Sequence, residues 1–126
     1  MLFPFVPILL GALAVVVFDA IGSYASVRFG FAYTKLSPGS SLIYGTVGFA
    51  VGRTGALYTG AIAAAIAAAI VAAIEATVGW AISWYVGPGR LAPGQATPHR
   101  ILSTVVTVSA IGAICGSAGA FLAELF

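Results

Sequence analysis

Apolar residues dominate the chain in four long stretches, and polar residues fall mostly between them. The first stretch runs from about Phe3 to Val27 and ends at Arg28. Lys35-Leu36-Ser37-Pro38-Gly39-Ser40 reads as a turn segment, and a second stretch begins near Ser41 and ends around Tyr58 to Gly60. A third covers about Ala61 to Val86 and stops at Gly87-Pro88-Gly89, since glycine and proline punctuate helix ends. A polar loop continues to Pro98. Thr97-Pro98 has the form of an N-cap followed by proline at the first helical position, and a fourth stretch then covers about Ile101 to Leu125. Pro4 and Pro7 fall in the first turns of the first stretch, where a missing N–H costs little. A helix needs about 20 apolar residues to cross a bilayer, and each stretch is of that order. The pattern predicts an all-α integral membrane protein: one transmembrane domain over residues 1–126, built as a bundle of four transmembrane helices.

Composition sharpens this picture. Hydrophobic residues make up 61% of the 126 residues, charged residues only 6%, and the mean hydropathy is +1.12. A soluble domain carries about a quarter charged residues, and one this short could not hide so much apolar side chain. Five Lys and Arg against three Asp and Glu give a net charge of +2, too small a basic excess for nucleic-acid binding. The lone cysteine, Cys115, lies in an apolar run and reads as a small buried side chain. Met1 to Phe18 carries no basic residue of the kind that opens a signal peptide, so it is read as a retained first span.

Charge predicts orientation. Arg28, Lys35, Arg90 and Arg100, with His99, lie in or beside the two longer loops, whereas Glu124 lies near the opposite end of the last span. The positive-inside rule places both loops in the cytoplasm and both termini across the membrane. The four basic residues are candidate contacts for anionic lipid headgroups. Tyr24, Phe29, Phe31, Tyr33, Tyr44, Trp80, Trp84 and Tyr85 cluster on the same side and read as an interfacial aromatic belt.

The two halves, residues 1–58 and 59–126, resemble each other. Asp19-Ala20 aligns with Glu75-Ala76 at an offset of 56, and Tyr24 with Trp80 in the same register. Gly48, Gly52, Gly55 and Ala56 align with Gly112, Gly116, Gly119 and Ala120 at an offset of 64, sharing G-x-x-x-G-x-x-G-A. A duplicated two-helix hairpin would give parallel repeats about an axis along the membrane normal. The six glycines are candidate helix-packing positions, because small residues let helices approach closely in lipid. Isoleucine recurs every fourth residue at Ile62, Ile66 and Ile70 among alanines, which suits a thin helix at the bundle centre or in an interface with another copy.

Three ionisable residues fall inside the spans: Asp19, Glu75 and Arg53. Charge at membrane depth is expensive, so such residues usually face a bundle interior or water and find a partner. Asp19 has Ser23 and Ser26 on its helical face, and Glu75 has Gly79 and Ser83 on its own. The three can be read as an ion pair of Arg53 with either acid, or as a protonatable pair in a polar path.

Other chemistry finds little support. Thr46-Val47-Gly48-Phe49-Ala50 is similar to the T-V-G-Y/F-G filter of potassium channels but ends in alanine and sits in a continuous apolar run. Gly116-Ser117-Ala118-Gly119 has the wrong order for the G-x-S-G of rhomboid proteases, and no histidine lies in a span to act as base. No metal-ligand set and no phosphate-binding loop occur, so the chain is not expected to be an enzyme. No cofactor is implied, although a lipid or pigment leaves no motif on an apolar face. The leading expectation is a structural or accessory subunit packed among other membrane subunits. The alternative is a small oligomeric transporter or channel using Asp19, Glu75 and Arg53.

Overall fold

The computed structural model describes residues 5–31, 37–53, 57–87 and 97–126. Among them all regular structure is helical: α1 (Phe5–Phe29), α2 (Ser37–Gly52), α3 (Leu57–Ile74), a π-helical turn (Glu75–Gly79), α4 (Trp80–Val86) and α5 (Pro98–Leu125). The π turn joins α3 to α4 in one rod. Three helices, Phe5–Phe29, Gly60–Val86 and Pro98–Leu125, are long and apolar enough to cross a membrane. α2 has 16 residues, because it ends at Gly52 instead of continuing to Tyr58 or Gly60. Gly55 lies outside the described residues.

Cross-helix contacts fix the directions. Gly11 of α1 packs against Val47 of α2 and Val71 of α3, while Phe18 covers Gly39. α1 and α2 are therefore antiparallel. Asp19 lies against Gly79, so α1 runs parallel to the α3–α4 rod. Gly48 meets Gly116, and Gly52 meets Ala120, so α2 and α5 are parallel. The ends of α1 and α4 and the starts of α2 and α5 thus share one end of the protein, here the loop end. The start of α1 and the end of α5 lie toward the other.

α3 is central, packing on α1, α2 and α5. Four of its alanines face inward: Ala64, Ala67, Ala68 and Ala72 are completely buried. Ile62 and Ile66 face out, 63% and 50% exposed, while Ile70 is half-buried against the core. In water this arrangement would waste the apolar surface; in lipid it gives close backbones inside and bulky side chains against acyl chains. α1 follows the same rule, exposing Leu9, Leu10, Leu13 and Ile21 and burying Gly11, Val15, Asp19, Gly22 and Ser23.

The glycine seams are consumed within the chain. A Cβ placed on Gly48 would run into the backbone of Gly116; one on Gly116 would sit 2.7 Å from the Ala64 carbonyl oxygen. Gly112 presses on Ala68 and Ala72, and Gly119 on the carbonyl of Gly45.

The start of α5 follows the sequence closely. Thr97 is extended, its hydroxyl accepts from the Arg100 N–H at 3.2 Å, and Pro98 opens the helix. Thr97→Ala should lower stability by about 1 kcal/mol, read by denaturant titration of helicity in detergent.

Candidate functional site

The π turn is where the site is built. The N–H of Trp80 bonds to the carbonyl of Glu75, five residues back, so this turn holds one residue more than an α turn. The consequence is rotational. Ser83 lies 19 positions beyond Ala64, which in an uninterrupted α-helix would turn it about 100° off the inward face. The extra residue absorbs that angle, and both Ala64 and Ser83 are buried. π turns recur at functional positions because they re-aim side chains in this way.

Glu75 opens the turn and reaches α2. Its Oε1 accepts from the Tyr44 hydroxyl at 2.6 Å, and its Oε2 accepts from the Ser40 hydroxyl at 3.0 Å. Tyr44 is 2% exposed, and Ser40 is also buried. Asp19 approaches from α1, with its carboxyl against Gly79; a side chain at residue 79 would displace it. The register that sets Asp19 beside Gly79 leaves Glu75 one turn, about 6 Å, further from the loop end.

The structure therefore gathers Asp19 and Glu75 at one π turn, Glu75 bonded to a buried phenol and Asp19 against Gly79, with Ser40, Ser23 and Ser83 close by. Ser23 and Ser83 are each one turn loopward, and neither hydroxyl has a hydrogen-bond partner. Ser26 follows on α1, buried, and its hydroxyl donates to the Phe31 carbonyl at 3.2 Å.

Arg53 lies elsewhere. It follows the last turn of α2, is exposed, and its N–H bonds to the Phe49 carbonyl. Nine residues separate it from Tyr44, about 13 Å along the helix axis, toward the termini. The structure does not bring it to either acid. Arg28 and Arg100 are exposed at the loop end, as is His99; Lys35 and Arg90 lie outside the described residues. Tyr24, Phe29 and Tyr85 are exposed there too, as an interfacial belt requires. Tyr44 is not part of that belt.

Two site residues escaped the sequence reading: Ser40 and Tyr44. Their spacing, one helical turn in an otherwise apolar segment, was the available signal. It was obscured because Tyr44 also suits an interface and Ser40 also suits a turn. Tyr44→Phe removes the buried phenol's bond to the half-buried Glu75 carboxylate and should cost about 2 kcal/mol of stability, measured by unfolding in mixed detergent.

Beside the site, a groove of about 410 Å³ opens between α4 and the start of α5. Trp80 and Trp84, edge to face at 6.4 Å, line it with Ala76, Ala81 and Ile101. Compared with protein-family models, curated proteins and solved structures, the chain matches none.

Proposed function

We propose that this protein is a small membrane transporter that moves protons, or a solute coupled to them, through the Asp19–Glu75 site. The observation that supports it is that one π turn brings together two carboxyls from different helices, Glu75 bonded to a buried phenol and Asp19 against Gly79, inside an apolar protein. Ionisable groups at membrane depth are costly and typically mark ion or proton pathways. A network serving only to hold helices together has no need of two acids.

On this reading the chain crosses the bilayer four times, with α2 as the short crossing. The loop end faces the cytoplasm by its basic residues. The two hairpins derive from one duplicated unit, and the parallel directions of α1 with α3 and of α2 with α5 agree with that origin. Anionic headgroups meet Arg28, Lys35, Arg90 and Arg100. Copies of the chain associate through their outward aliphatic faces, since four thin helices leave little room for a path.

The second reading is an accessory subunit; Gly48, Gly52, Gly112, Gly116 and Gly119 are occupied within the chain, so on that reading a partner docks on the outward aliphatic faces instead. The test is reconstitution into vesicles with an imposed pH gradient. Proton flux above that of empty vesicles, lost in Asp19→Asn, supports transport. Flux equal to that of empty vesicles, from protein shown to be folded, sinks it.

A further inference from the structure

The hydroxyls of Ser23 and Ser83 are unexplained by packing. Ser23 is 0% and Ser83 1% exposed, and each hydroxyl lacks a partner. A buried hydroxyl without a hydrogen bond costs on the order of 1–3 kcal/mol. Alanine in either place would avoid that penalty, and the chain uses alanine freely elsewhere. The helix register explains why the two belong together. An offset of 60 pairs Gly11 with Val71 and Asp19 with Gly79, and the same offset pairs Ser23 with Ser83. The two orphan hydroxyls thus face one seam between α1 and α4, one turn loopward of the Asp19 carboxyl. One turn further, Ser26 bonds to the Phe31 carbonyl, where the chain leaves α1.

The opposite direction has a different character. Val15 and Val71 are completely buried, and Val47 is nearly so. Val47 and Val71 close on Gly11, where a Cβ would lie 2.6 Å from a Val47 methyl. The buried residues described in this layer are apolar; Thr46, beside Val47, is exposed. The polar track therefore opens from the acids toward one end and is blocked toward the other.

We propose that the Ser23–Ser83 seam is the water-accessible route by which protons reach Asp19 from the loop end, and that Val15, Val47 and Val71 form the closed gate beyond. Water entering the seam finds Ser23, Ser83 and the Asp19 carboxyl as polar partners, enough to hold it. Hydroxyls and water each donate and accept, so a proton taken from loop-end water passes along the seam while each oxygen gives up the proton it held. The carboxylate becomes a carboxylic acid, and no other bond changes. Glu75 on the π turn, Tyr44 on α2 and Cys115 on α5 are the other titratable groups near the terminus of this route. The proposal rests on the transport reading for its use but not for its test.

The test is side-specific thiol labelling of the full chain in oriented vesicles, in a Cys115→Ala background. Ser23→Cys and Ser83→Cys should react with a small cationic methanethiosulfonate added at the loop end, and not from the other end. Val15→Cys and Val71→Cys should stay unlabelled from both. Serine cysteines as silent as the valine ones, or labelled from the terminal end, would overturn the route. Ser23→Ala with Ser83→Ala provides a second reading, because alanine is tolerated in such a seam. Proton flux should fall about tenfold, one decade of rate, with helicity and thermal stability unchanged; unchanged flux counts against the proposal. Labelling without any wild-type flux would keep the route and refute transport. Flux sensitive to Asp19→Asn with silent cysteines would do the reverse.

Discussion

Asp19→Asn should abolish proton flux, and Glu75→Gln should reduce it by about a hundredfold, the scale on which a positioned proton-transfer group matters. The two acids differ in surroundings. Glu75 is held by two hydroxyl donors, Tyr44 and Ser40, so its replacement disturbs both function and packing. Glutamine keeps an acceptor for one hydroxyl but cannot carry the proton. Asp19 lies where the orphan serines converge, and asparagine fits the same space beside Gly79 without titrating. Glu75→Gln should also lower the unfolding midpoint, because two hydroxyl donors lose their carboxylate. Vesicle flux and detergent unfolding on the same preparations check this. Flux that survives Asp19→Asn would remove Asp19 from the path.

The largest structural effect is expected at Gly48. An added Cβ there meets the Gly116 backbone, which has no flexible end to move aside. Overpacking typically costs 1–3 kcal/mol, so Gly48→Ala should cost about 3 kcal/mol and Gly48→Leu should prevent folding. Gly45, on the same helix, is a sharp control, because its nearest neighbour is the Cys115 carbonyl oxygen at 3.8 Å. Gly45→Ala should be neutral or slightly stabilising, given alanine's better helix propensity. Opposite signs one turn apart distinguish backbone contact from a general cost of altering glycine. A loss of partner proteins with the fold intact on Gly48→Leu would instead revive the accessory reading.

Much of the fold was legible because lipid leaves few options. Apolar length gave the helical class, Thr97-Pro98 gave the start of α5, and the glycines marked the close contacts. What the glycines touch was not legible, since a G-x-x-x-G seam looks the same whether it serves its own chain or another. The end of α2 was also hidden: Arg53-Thr54-Gly55 is a short break between apolar runs, and hydropathy averaged over a span does not register a backbone turn at Arg53. The site was half visible. Asp19, Glu75 and their serine faces stood out as polar residues in apolar runs. Arg53 stood out for the same reason but lies at the far end of its helix, because one-dimensional pattern carries no distance between helices. The π turn leaves no compositional trace. Its effect on Ser83 emerges only when rotation is followed along the whole rod.

The shortness of α2 reaches beyond the protein. Sixteen residues rise about 24 Å, against an average hydrocarbon thickness of about 30 Å, while α1 and α5 have 25 and 28 residues. If α2 is the fourth crossing, as proposed, lipid beside it thins locally or Arg53 stretches its charge up to the headgroups. On that reading the mismatch falls on the helix that presents Tyr44 and Ser40 to Glu75, and acyl-chain length becomes a variable acting on that acid. A protein with one short wall would be matched to a particular membrane, with bilayer thickness part of what sets its working state.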